Sequence, residues 1–101
     1  MVRTFDGGHR LKLARLNRAL TYRDIERISR ILSERYSDDR FTVRISALAD
    51  IEKRCVVPTI FGLYTLCLIY ELDIPTVIEW YGFWPKDRDR KVVEQYIRWV
   101  G

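Results

Sequence analysis

Apolar residues recur at helical spacing along nearly the whole chain. Leu11, Ala14 and Arg18, with Leu13, Leu16 and Leu20, predict an amphipathic first helix over about residues 9–19. Thr21 offers an N-cap and Asp24 completes a Thr-x-x-Asp box, so a second helix starts there. Ile25, Ile28, Leu32 and Tyr36 recur at steps of three or four and carry that helix to Tyr36. The run Ser37-Asp38-Asp39-Arg40 breaks the pattern and predicts a turn. Phe41 to Ile45 alternates and reads as extended, and Ser46 is the candidate cap of a short third helix holding Leu48, Ile51 and Glu52.

The second half is more apolar. Thr59 is the expected cap of a fourth helix, with Ile60, Leu63, Cys67 and Tyr70 on one face and Phe61, Leu68 and Ile69 elsewhere on it. A helix apolar nearly all round is expected to be buried on several sides. Asp73-Ile74-Pro75 opens a fifth helix through Val77, Ile78 and Tyr81, ended by Gly82. After Pro85, an alternating-charge stretch leads into Val92, Val93, Tyr96, Ile97, Trp99 and Val100. The chain reads as all-α.

Composition narrows the picture further. A chain of 101 residues suits one domain, and 48% hydrophobic with 32% charged residues argues against disorder. One histidine and two cysteines are too few for a fold built on a metal, and no metal or cofactor is expected. The opening residues lack the apolar core of a secretory signal. The longest uncharged stretch, Cys55 to Tyr70, counts 16 residues against the ~20 that span a bilayer, so no membrane is expected. Cys55 and Cys67 are expected to be reduced core thiols of a cytoplasmic protein.

Charge is uneven. Residues 1–57 hold 13 basic and 8 acidic residues, whereas residues 58–101 hold 5 and 6. Fourteen of the 18 basic residues are arginine, the side chain suited to bidentate phosphate and guanine contacts. The competing reading is a solvated helix face in which Arg23, Asp24, Glu26 and Arg27 pair among themselves.

Two segments carry a family resemblance. Gly8-His9-Arg10-Leu11, Ala14-Arg15 and Leu20-Thr21 look like the opening of the lambda-repressor/Cro-like, or Xre, helix-turn-helix family, with Ala19 at a position usually glycine. Leu48, Ile51, Glu52 and Pro58 match in register the family's pattern Leu-x-x-Ile-Glu-x-Gly-x-x-x-Pro-Ser, with Thr59 for serine and Arg54 for the glycine. Leu72-Asp73-Ile74-Pro75 resembles the family's entry into its fifth helix. The resemblance implies a five-helix DNA-binding domain over residues 8–82, an arm over 1–7 and an added amphipathic helix over 83–101. It departs from the family in one respect. Helix two runs on to Tyr36, and residues 37–45 form a longer, glycine-free connection than the usual turn of about 3–4 residues.

The resemblance implies a cytoplasmic, bacterial transcription regulator that lays a short helix, about residues 46–53, in the major groove of double-stranded DNA. Such a helix reads base edges with its N-terminal residues. Those positions are Ser46, Ala47 and Asp50: a hydroxyl, a methyl for thymine and a carboxylate that accepts from cytosine. Equally, Ser46 only caps and Asp50 only pairs with Arg54. Tyr22 and Arg23 at the start of helix two, with Arg40, Arg44, Lys53 and Arg54 around the reading helix, are the candidate phosphate contacts. Glu52 is expected to make internal contacts near helix two.

Catalysis has little to stand on. There is no Gly-rich phosphate loop, no Gly-x-Ser-x-Gly and no constellation around His9, so an enzyme is not expected. The alternative is a protein-interaction module, for instance an antitoxin-like partner, on the same fold. Asp38, Asp39 and Asp50 would then break the basic face. Two seams in the last helix, Val92-Tyr96-Trp99 and Val93-Ile97-Val100, together with Trp80 and Trp84, predict either a cap on the chain's own fourth helix or a homodimer interface, the dimer being preferred.

Overall fold

The computed structural model describes residues 6–83 and 86–100; these residues form six α-helices and one 3-10 turn, and contain no strand. The helices are α1 (Gly7–Asn17), α2 (Tyr22–Tyr36), α3 (Ile45–Lys53), α4 (Ile60–Tyr70), α5 (Ile74–Trp80) and α6 (Asp87–Val100). The 3-10 turn covers Asp39–Phe41. Leu11, Ile25, Leu48, Leu66 and Val77 are fully buried, one from each of α1 to α5, and meet in a single core. No single described helix is long and apolar enough to cross a membrane.

Several boundaries follow local chemistry. The Thr21 hydroxyl accepts from the Asp24 amide at 3.2 Å, and the Asp24 carboxylate accepts from the Thr21 amide at 2.8 Å, the reciprocal capping box that starts α2. Ser37, in the left-handed region at φ 51°, ends α2. The Thr59 hydroxyl accepts from the Gly62 amide and starts α4. Pro75 lies in the first turn of α5, where its missing N–H costs nothing.

Other expectations are corrected. The first helix begins at Gly7 rather than residue 9, so Gly7 leaves the expected arm; residues 1–5 lie outside the described residues. A Cβ on Gly8 would run into the backbone carbonyl of Ile51, and one on Gly7 would sit 2.6 Å from the Tyr81 ring. Those two glycines let α1 lie directly on α3 and α5. Leu13 and Leu16 face solvent, because the buried side of α1 is Gly7, Gly8, Leu11 and Arg15. Residues 41–45 are not one extended run: Phe41 closes the 3-10 turn, and Ile45 already belongs to α3.

Ser46 is not the cap of α3 but a residue of its first turn; Arg44 is the capping residue, and its side chain caps nothing. Cys67 is buried as expected, whereas Cys55 is exposed. Helix α4 is buried on several sides, as expected, through Leu63, Thr65, Leu66, Cys67 and Tyr70, with Ile60 and Leu68 exposed. The position that takes a left-handed backbone after α3 is Cys55 (φ 54°), not Arg54 (φ −108°). Ala19, at the resemblance's other glycine position, has φ 54°.

Candidate nucleic-acid interface

Helix α3 is held from three sides. Leu48 and Ile51 enter the core, and Glu52 is buried against α1. Arg15 donates through Nε and Nη2 to the two Glu52 oxygens at 2.8 and 2.9 Å, and through Nη1 to the Leu20 carbonyl at 2.8 Å. That one guanidinium ties α1, the α1–α2 junction and α3 together. Its pairing with Glu52 holds it still further above its already high protonation range.

The long connection between α2 and α3 is also clamped. Ser29 Oγ donates to the Glu26 carbonyl at 2.8 Å and accepts from the Val43 amide at 2.9 Å. Ser33 and Thr42 share a hydroxyl–hydroxyl bond of 2.7 Å, and Thr65 donates to the Phe41 carbonyl at 2.7 Å. The Glu26 carboxylate accepts from the Ile45 amide at 2.9 Å, capping α3 from α2. A carboxylate at a helix N-terminus also opposes the helix dipole favourably. Length therefore does not make this connection loose.

What remains free is the outer face of α3. Ser46, Ala47, Lys53 and Arg54 are exposed and Asp50 is half-buried on one side of the helix. Asp50 approaches Arg54 Nη1 at 3.7 Å, so the carboxylate at the middle of this face is partly neutralised. Beside it a groove of about 400 Å³ runs between α3 and the following loop, lined by Ala47, Asp50, Val56, Val57, Pro58 and Phe61.

Not every expected contact faces outward with the rest. The Tyr22 hydroxyl donates to Glu52 at 3.3 Å and its ring lies 4.6 Å from the Arg15 guanidinium, so its side chain belongs to the internal network. Burial, followed by the Glu52 charge, pushes its phenol pKa up. Arg40 donates to both Asp38 oxygens at 2.7–3.1 Å and stacks 4.1 Å over Phe61. That pairing holds the Asp38 carboxyl below its usual range. Arg23 and Arg44 are exposed at the two helix starts. Asp24 stands at the α2 start as well, its carboxyl pulled below the ordinary range by the Thr21 amide, and its charge opposes a phosphate there.

Arg27 and Arg30 are further exposed basic residues of α2, beyond the contacts expected from the sequence. Their i+4 and i+7 spacing from Arg23 was the available signal. Arg30 pairs with Glu26 at 3.3 Å, while Arg23, Arg27, Arg44 and Lys53 form no ion pair among the described residues. Trp80 is half-buried against the core with Arg10 over its ring, and Trp84 lies outside the described residues. Val92, Tyr96 and Trp99 are exposed on α6. Comparison with protein-family models, curated proteins and solved structures finds no match for this chain.

Proposed function

We propose that the chain is a sequence-specific DNA-binding regulator of the helix-turn-helix type, with α3 as its reading helix and the resemblance to the Xre family as its lineage. One observation carries the reading. Helix α3 is short, buttressed from α1 and α2, and exposed along one face, with Arg44, Lys53 and Arg54 exposed at its two ends and Arg23, Arg27 and Arg30 exposed on α2. A rigid helix of this size fits the major groove, and arginines on either side suit the flanking phosphates. Ser46, Ala47 and Asp50 would meet base edges; Tyr22 would act only by holding Glu52. Arg40 is committed to Asp38 and Phe61 and would contribute less than the free arginines.

Selection from a pool of randomised duplexes tests the proposal. A sequence motif should be enriched by the parent protein and lost with Ala47→Glu. No enrichment by the parent would contradict it. The second reading, a protein-binding module, draws on the apolar groove beside Ala47. It expects Val57→Asp to abolish capture of a protein while leaving DNA affinity untouched.

A further inference from the structure

Helix α6 stands apart from the helical body. The radius of gyration is 16.4 Å, against about 13 Å for a compact domain of this length. Its described apolar side chains lie in solvent: Trp99 is 91% exposed, Tyr96 69% and Ile97 64%, with Val92 and Val93 a little over half exposed. The stripe presents roughly 600 Å² per chain, at the upper end of what monomers expose. Two such stripes, before any facing surface is counted, give about 1,200 Å², where stable interfaces begin.

The stripe also has a definite shape. Val92, Tyr96 and Trp99 lie on one side and Val93 and Ile97 on the next, so the apolar arc spans about 160° of the helix. An arc that wide is broader than the narrow seam of a two-helix coiled coil and suits a slot between two helices. The body has such a slot, also empty. Ile28, Ile31 and Leu32 of α2 face Thr65, Leu68 and Ile69 of α4 across a groove of about 230 Å³, with Ile31 59% and Leu68 49% exposed.

We propose that two copies exchange α6, each seating its stripe in the α2–α4 groove of the other. One chain carries both halves of the contact, and neither half is satisfied within it, which is the condition for a closed twofold exchange. The proposal rests on these two surfaces and not on DNA binding.

Sedimentation equilibrium of the full chain without DNA tests it. At tens of micromolar the mass should be twice the 12.1 kDa of one chain. Ile31→Asp in the groove and Ile97→Asp in the stripe should each weaken association about 100-fold, since each places a carboxylate in both symmetric contacts. Both sites are solvent-exposed within the chain, so unchanged far-ultraviolet circular dichroism should show that each variant folds. Mixing the two variants should restore some dimer, because one supplies an intact stripe and the other an intact groove. A parent that stays monomeric overturns the proposal. So does a dimer sensitive to Ile97→Asp but not to Ile31→Asp, which would be stripe-on-stripe pairing, or a mixture that restores nothing.

Discussion

Arg15 and Glu52, 37 residues apart in sequence, form a two-pronged ion pair at 2.8 and 2.9 Å with the glutamate side chain fully buried. A buried pair is costly to assemble, but costlier to break from one side, because the survivor is left charged in the core. Glu52→Ala should therefore lower unfolding free energy by about 3–5 kcal/mol. Arg15→Met with Glu52→Met should cost less than the sum of the single changes, as two contacting groups removed together. Urea denaturation of the parent, Glu52→Ala, the two single Met variants and the double Met variant measures both effects.

The two ends of α1 yield a pair of opposite outcomes. Gly8→Ala pushes a methyl into the Ile51 carbonyl and should separate α1 from α3, lowering stability by about 2 kcal/mol or more. Ala19→Gly relieves a left-handed backbone and should raise the melting temperature slightly, the relief of about 1–2 kcal/mol being partly offset by unfolded-state entropy. Thermal melts of the two variants should move in opposite directions.

Alkali should unfold the protein through its tyrosines. Burial pushes the Tyr81 phenol up to about 12, and burial with the nearby Glu52 charge pushes Tyr70 higher still. In the unfolded chain both ionise near ~10. The folded form thus keeps its proton where the unfolded form releases it, so their contribution is whole below pH 10 and is lost as pH climbs through the folded values. Neither hydroxyl has a hydrogen-bond partner among the described residues. Tyr81→Phe should be tolerated at pH 7 and should flatten the loss of stability between pH 10 and 12, measured by denaturant melts across that range.

Local signals were legible in the sequence and long-range ones were not. The Thr21–Asp24 box and the Thr59 cap are bonds between residues three apart, so spacing alone exposes them. The cap of α3 comes from Glu26, 19 residues before Ile45, and nothing near Ser46 signals it. Gly7 falls in the expected arm and Gly8 just before the expected helix start, since glycine is a poor helix former, yet close packing on Tyr81 and Ile51 outweighs that propensity. Leu13 and Leu16 fitted a helical period while the true buried face held Arg15, a charge that periodicity counts as polar. Of the expected contacts, Arg44, Ala47, Lys53 and Arg54 are exposed, whereas the side chains of Tyr22 and Arg40 are drawn to partners on another element or turn.

Substitutions should separate phosphate contacts from base contacts. Arg44→Ala and Arg54→Ala each remove one phosphate partner, so both should weaken binding to every duplex and shrink the salt slope by about one. Ala47→Glu should leave weak, sequence-independent binding largely in place and abolish preference among duplexes. Fluorescence titration of each variant against a selected and an unrelated duplex reads both quantities.

The most direct measurement is the affinity of the full chain for mixed-sequence double-stranded DNA as a function of salt. Arg23, Arg27, Arg30, Arg44, Lys53 and Arg54 are exposed on α2 and at the ends of α3, and neutralising about that many phosphates gives a log–log slope near −5. The account predicts tight binding at low salt that falls along that slope between about 50 and 200 mM. Undetectable binding at low salt, or an affinity that salt leaves unchanged, would contradict it.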